Sequence, residues 1–548
     1  MKKPGKKHAP AKPRRLGTGS SEVNPILELL QQLEPGFLQA LEQSIGDGAG
    51  FDPGIFDAPD AVDLFGEYLE FCEDRVADND TDIKQFDRYA DLVWALSDLK
   101  ISANGGDHLA REDIQEIDDL LDEAIETRSM QLVDLVFAGK VLSDAGWDVP
   151  QNLRQTASEG LWKARSGESS GAAHVSLDEL LPLPREIRNN PFDLYEFLNS
   201  IFAAFTADAI QMLCLELAAQ HKPDVLQAIT GFILHPEADV AKIVAGTLAA
   251  SARAHPAESV VIERLVRMRP WLPPDRQSDV DAAIKAMRKN AGPPVKPTQP
   301  KLVKCLATVC DGSGTRSLYV TQRLGSRYQI ATVMIKPVGV VDVIILPDLA
   351  KSDMDQMLRQ LKSSVLAVET DLTGIARMLE LSLGENGISG KLPPFKLIEV
   401  VECCGLGPLL PSGDTPADII SRLLAGSPPD ETDPAAVANA HREIAESDFV
   451  QQWFEAGEAV EDLLHPVRGY QKRVTKLLKT YLEERRQFWA RQCAISALAL
   501  RGTGQANQSL STQLALVGRD IASGAPLDGI PLMQHVAMLT VRSFGARF

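Results

Sequence analysis

Asp118-Asp119 and Asp122-Glu123 bring four carboxylates close together in the sequence, the raw material for a divalent-cation site. An EF-hand loop sets its oxygens as Asp-x-Asp-x-Asp-Gly, so that a sharply bent loop wraps the ion. Here the acids follow helical spacing without that glycine, which places them on a solvated helix face. Gly384-Glu-Asn-Gly-Ile-Ser-Gly-Lys391 has the glycines of a phosphate loop. That motif needs glycine five residues before the Gly-Lys pair and a hydroxyl after it. The two positions hold Glu385 and Leu392, so the stretch reads as a surface loop. Gly312-Ser313-Gly314 follows a strand as dinucleotide loops do, but another strand comes next, and without a helix N-terminus nothing holds a pyrophosphate. It reads as a hairpin turn.

Cys305, Cys310, Cys403 and Cys404 could in principle offer four thiolates to zinc. They lack the short Cys-x-x-Cys spacing, and Cys305 and Cys310 face opposite sides of one strand, so buried small hydrophobes are expected. The Gly-x-Ser-x-Gly run Gly167-Glu-Ser169-Ser-Gly171 falls in a linker and not on a strand-to-helix elbow, and His441-Arg442-Glu443 lacks the second histidine of a zinc helix. His221, His235, His255 and His465 fall at apparent helix ends, where the dipole favours a cation. No catalytic residue stands out, and no cofactor and no metal is expected.

The best-defined charged pattern is basic. Arg468, Lys472, Lys476 and Lys479 repeat on one helical face, with Val474, Leu477, Leu478, Tyr481 and Leu482 opposite. Arg485, Arg486 and Arg491 extend the positive character beside Phe488 and Trp489. This is the candidate patch for an anionic partner, on a long helix expected from about Pro466 to Leu500.

The elements around these residues are mostly helices. Residues 22–164 read as an acidic helical domain, in which Val62, Phe65, Leu69 and Cys72 keep helical spacing, as do Ile114, Ile117, Leu120, Leu121 and Ile125. A Ser-, Gly- and Pro-bearing linker is expected at 165–190, a second helical domain at 191–290 and a proline-rich spacer at 291–300. Leu302–Cys310, Ser317–Gln322, Tyr328–Ile335 and Val340–Leu346 are Val-, Ile-, Tyr- and Thr-rich runs between turn residues. They predict a four-stranded antiparallel meander, one face packed and one partly wet, inside an α+β module at 301–425. A helix capped by Ser352 follows, then helices near Asp371–Leu383, Pro393–Cys404 and Pro416–Leu424, the last with Thr415 and Asp418 as a capping box. A helical region at 435–548 packs on the module. The fold class is mostly α, multidomain, with one small antiparallel sheet.

Charge is segregated. The net charge is −19, yet residues 1–15 carry seven Lys or Arg and no acid, while residues 16–160 carry 32 acids against 8 bases. Residues 1–21 read as a disordered basic arm. The acidic domain is unsuited to nucleic acid and suited to a basic partner. No apolar run is long enough for a membrane span, and no apolar core follows the basic N-terminus as in a secretion signal. Seven scattered cysteines fit a reducing cytoplasm.

Within 223–289, Gly231-Phe-Ile-Leu-His-Pro-Glu-Ala-Asp-Val-Ala-Lys-Ile-Val-Ala-Gly-Thr-Leu-Ala250 resembles a HEAT repeat: a helix ending in a short turn, then an acid and Val opening the next helix. The basic residue favoured after that Val is displaced to Lys242. The resemblance implies a stacked helical-hairpin surface for protein contacts. The expected function is a cytoplasmic protein–protein interaction scaffold or adaptor. The other readings are a nucleic-acid-associated protein using the basic arm and basic helix, and an enzyme with its site in the α+β module. An enzyme is the less expected outcome, and no oligomeric state is indicated.

Overall fold

The computed structural model describes residues 60–77, 86, 88–104, 107–166, 190–293, 300–364, 366–425, 434–502 and 505–546. The expected basic arm lies outside the described residues, as does most of each linker (167–189 and 294–299) and the segment 426–433.

The first unit comprises α1 (Ala61–Ala77), α2 (Tyr89–Asn104), α3 (His108–Thr127), α4 (Leu132–Asp144) and α5 (Gln151–Ser166). In α3 the Asp107 carboxylate accepts the N–H groups of Leu109 and Ala110, and Arg128 ends the helix at φ 59°. Its stripe of Ala110, Ile117, Leu121 and Ala124 is buried, and the acids face away from it. Tyr68 stacks near Phe65, Phe86 and Phe137, and Arg75 pairs with Asp134 at 2.5 Å in the interior.

Helices α6 (Pro191–Phe202), α7 (Ala207–Ala219), α8 (Pro223–Ile229), α9 (Ala238–Ala254), α10 (Ser259–Met268) and α11 (Pro274–Arg288) form the second unit. They lie in two layers, with α9 between α7 and α11 on one side and α8 between α6 and α10 on the other. A 3-10 turn, Thr230–Leu234, closes α8, and His235-Pro236 breaks the chain before α9.

The sheet follows as β1 (Lys301–Thr308), β2 (Arg316–Leu324), β3 (Arg327–Lys336) and β4 (Gly339–Leu349). Then come α12 (Lys351–Ser364), β5 (Ala367–Thr370), α13 (Leu372–Ser389) and α14 (Lys396–Cys403). The order is β4-β3-β2-β1-β5, antiparallel throughout. The expected meander is thus extended to five strands: after α12 the chain returns to pair β5 with β1. Both faces are covered. Cys305, Ala307, Leu318, Val320 and Val333 join the core beneath α13 and α14, while Leu306, Ile330 and Leu346 pack with Met354 and Leu358 of α12. Ser352 falls inside the first turn of α12, and its hydroxyl meets Asp353 and not Asp355.

The stretch expected as a surface loop at 384–391 is largely helix. α13 continues to Ser389 and ends at Gly390, φ 72°. The glycine is a packing residue here: a Cβ on Gly384 would lie 1.9 Å from the Ser412 carbonyl oxygen. Two residues further on, Asn386 uses its side-chain amide like a strand, accepting from Val340 N–H at 2.9 Å and donating to Val340 C=O at 3.1 Å, which caps β4 at that residue.

The last unit contains α15 (Pro416–Leu424), α16 (Pro434–Ala445), α17 (Glu458–Leu464), α18 (Tyr470–Lys479), α19 (Tyr481–Glu484), α20 (Arg486–Leu500), α21 (Gln505–Ala522) and α22 (Pro531–Ala546). Thr415 and Asp418 form the capping box on α15. The expected long helix is three shorter ones, broken at Thr480 (φ −126°, ψ −85°) and Arg485 (φ −87°, ψ 5°). Trp453 and Trp489 are fully buried at the centre of this unit, and Trp453 Nε1 donates to the Cys310 carbonyl at 3.0 Å. Two large cores result. One runs from α1 through the second unit to one face of the sheet, and the other fills the C-terminal unit. Among the described residues no helix is long and apolar enough to cross a membrane.

Candidate functional site

The basic face is built by α18. Val474, Leu477 and Leu478 turn into the C-terminal core, which forces Lys472, Lys476 and Lys479 outward. Arg468 is exposed in the bend before α18, just ahead of Gly469 at φ 94°. Among the described residues no carboxylate lies within ion-pairing distance of any of these four. Arg473, on the same helix, is structural: it stacks over Phe544 at 4.8 Å and donates to the Val467 carbonyl at 2.7 Å. Beside the lysines lies a cavity of about 300 Å³ between α18 and α22, lined by Val474, Leu478, Lys479, Asp528, Gln534 and Met538 among others. Of the four cations Lys479 lines this hollow, which also holds the carboxylate of Asp528.

The three arginines expected to extend the patch do not. Arg485 pairs with Glu455 at 3.0 Å and stacks on Phe488, Arg486 pairs with Glu483 at 2.8 Å, and Arg491 pairs with Glu385 at 2.7 Å.

Two further clusters were not marked by any local motif. In the first, Arg316 Nη2 meets Glu385 Oε2 at 2.6 Å and Ser382 Oγ at 3.0 Å, with Arg491 on the other carboxylate oxygen. Arg316 and Glu385 are almost wholly buried, 3% and 4% exposed at the side chain, so the pair locks β2 to α13 and α20. In the second, Lys396 on α14 reaches Asp193 on α6 at 3.1 Å, with Glu196, Glu399 and Asp342 around it. Burial alone would lower the Lys396 ammonium, but Asp193, Glu399 and Glu196 outweigh it and hold its pKa above the ordinary value. Desolvation pushes the Glu399 carboxyl up to about 7 against the pull of Lys396, and Glu399 Oε2 is closed off with no hydrogen-bond partner. The protein crowded around Glu196 also raises its carboxyl, but the side chain is exposed and solvent limits the shift. Beside this cluster, Arg264 grips Glu402 with two bonds of 2.9 and 3.0 Å and lies over Phe192.

The remaining candidates have structural surroundings. Asp119, Asp122 and Glu123 lie on the open side of α3, and burial together with Asp122 and Asp119 holds Asp118 above the ordinary range. No group of three or more metal-ligating side chains occurs among the described residues. Cys305 and Cys310 belong to different cores, and Cys403 and Cys404 are half-buried. Burial raises the thiols of Cys305 and Cys403 to about 11 and that of Cys404 to about 12, which keeps them protonated and poorly nucleophilic. The Gly312–Gly314 segment is a hairpin turn held by Asp311, whose carboxylate accepts the N–H groups of Ser313 and Thr315. His235, His255 and His465 cap helix ends, and His221 follows α7 and stacks on His255 at 4.1 Å.

Comparison with known proteins gives matches to two family models. Residues 206–291 match the model described as Y4lR second domain, and residues 417–545 match the Y4lR C-terminal helical domain. The chain is also 26% identical over 255 residues to "Uncharacterized protein y4lR" of Sinorhizobium fredii (strain NBRC 101917 / NGR234). The match covers 45% of this chain and 48% of that protein, so the chain spans about half the length of the relative. No solved structure matches. The HEAT resemblance at 223–289 is not confirmed: the family model that matches there is the Y4lR second domain.

Proposed function

We propose that this chain is a protein–protein interaction scaffold of a reducing, cytoplasmic compartment, and that the basic groove of α18 receives an acidic protein partner. The observation that supports this most is the contrast in pairing within the C-terminal unit. Arg485, Arg486, Arg491 and Arg422 each hold a carboxylate, whereas Arg468, Lys472, Lys476 and Lys479 stand exposed without one, Lys479 at the edge of the 300 Å³ hollow. Lysines are loosely held point charges suited to a partner's carboxylates, and Val474, Leu478 and Met538 in the hollow add apolar contact that charge alone does not supply. Seven cysteines without a disulfide fit the compartment.

The test is fluorescence anisotropy with a labelled polyglutamate peptide, and in parallel a DNA duplex of matched charge, at low salt. Binding of the peptide that weakens about tenfold in the Lys472→Glu/Lys476→Glu/Lys479→Glu variant supports the reading. Binding of the duplex alone, with a steep salt slope, replaces it with the nucleic-acid reading. Binding of neither overturns both.

A further inference from the structure

The acidic first unit holds a surface that answers the basic groove. Helix α3 carries eight carboxylates and one arginine. Among the described residues none of the eight pairs with a lysine or arginine, and the one basic side chain near them is His108, 3.4 Å from Glu112. Carboxylates four apart on a helix repel one another, and α3 holds Glu112 with Glu116, Asp118 with Asp122, and Asp119 with Glu123 in that relation. On α18 the like charges Lys472 and Lys476 stand in the same relation. The chain thus carries two exposed rows of opposite sign, one over each large core; the acidic row has amide donors from Gln115 and Asn152 but no lysine or arginine, and neither row is neutralised by the other within the molecule.

The spacings fit. Read backwards, Lys479, Lys476 and Lys472 are separated by three and then four residues; read forwards, Glu116, Asp119 and Glu123 have the same steps. All six are exposed. An antiparallel approach of the two helices therefore sets three carboxylates against three ammonium groups along about 10 Å, since each residue rises about 1.5 Å. Antiparallel helices also oppose their dipoles favourably.

We propose that the partner of the basic groove is a second copy of this chain, whose α3 docks antiparallel on α18 with Glu116, Asp119 and Glu123 against Lys479, Lys476 and Lys472. This rests on the reading of α18 as a site for an acidic protein. The contact is heterologous, one surface meeting a different one, so two copies can join twice around a twofold axis or propagate head to tail.

Sedimentation velocity of the full chain at low and high salt tests it. The expected result is a mass above the monomer at low salt, with the association constant falling about tenfold or more as salt approaches 0.5 M, where the screening length is only a few ångströms. The α18 variant K472E/K476E/K479E and the α3 variant E116K/D119K/E123K are each expected to be monomeric. Mixed together they regain association, because each now offers the charge the other lacks. A mixture that stays monomeric while wild type associates overturns the proposed contact. A wild-type chain that is monomeric at low salt yet binds polyglutamate overturns self-association and leaves the groove as a site for another acidic protein. A chain that does neither overturns the groove as well.

Discussion

On one side of the sheet two arginines share one carboxylate; on another, four carboxylates crowd round one lysine. At the seam with the C-terminal unit, Glu385 sits between Arg316 and Arg491 with both oxygens occupied. At the seam with the second unit, Lys396 faces Asp193, Glu196, Asp342 and Glu399, and one Glu399 oxygen has no partner. Both are charge clusters at unit boundaries, but they differ in what protons do to them. Guanidinium groups keep their charge at every physiological pH, so the first seam is fixed. The second holds carboxyls that titrate near neutrality, so its strength depends on the medium. A buried charge cluster is thus either a clamp or a titrating contact, according to which sign is in excess.

The largest effect is expected at the clamp. Glu385→Ala leaves Arg316, 3% exposed, without its counter-charge. A loss of about 3–5 kcal/mol in unfolding free energy should follow in urea titration, because one buried ion stays unpaired. A loss below about 1 kcal/mol would mean that water or a neighbour replaces Glu385 and that the seam is no clamp. Arg264→Ala is expected to cost less, about 2 kcal/mol, since Glu402 keeps Arg267 at 3.4 Å. An effect equal to that of Glu385→Ala would mean that Arg267 gives Glu402 no support once Arg264 is gone.

Glu399→Gln gives the smallest effect, and one of a different kind. The folded protein holds the Glu399 carboxyl at about 7, above its ordinary 4.5. Between those values the folded state binds more protons than the unfolded one. The associated stability is therefore complete below about 4.5 and is lost as pH rises through about 7. Unfolding curves at pH 5.5 and pH 8 should show wild type losing stability on the order of 1 kcal/mol more than the glutamine variant across that interval. Glu196 adds less, because its open rim leaves it partly solvated. Equal pH slopes for variant and wild type would remove Glu399 as the titrating group.

Part of this was legible in the residues. Alternating β-branched runs and turn glycines gave the meander, and helical spacing alone placed Lys472, Lys476 and Lys479 on one face. What local patterns missed came from contacts distant in sequence. β5 has only four residues, too few to show a period, and exists because β1 offers it an edge. Three glycines between residues 384 and 390 read as a loop, yet Gly384 serves the approach of Ser412, and Glu385 lies 69 residues from Arg316 and 106 from Arg491. The bends at Thr480 and Arg485 carry no proline or glycine, so nothing local announced them. For the same reason Arg485, Arg486 and Arg491 looked free until their partners were known.

The core that runs from α1 to the sheet has a consequence for how the chain comes apart. Phe192 and Tyr195 of α6 meet Phe395 with ring centroids 5.0 Å apart, and Trp271 Nε1 donates to the Leu409 carbonyl at 3.0 Å. These contacts cross the proline spacer, so the spacer separates segments of sequence without separating cooperative units. Melting should follow the two large cores and not the four segments of the sequence. A chain cut at the spacer would leave each half with a raw aromatic surface, prone to clump before it could fold.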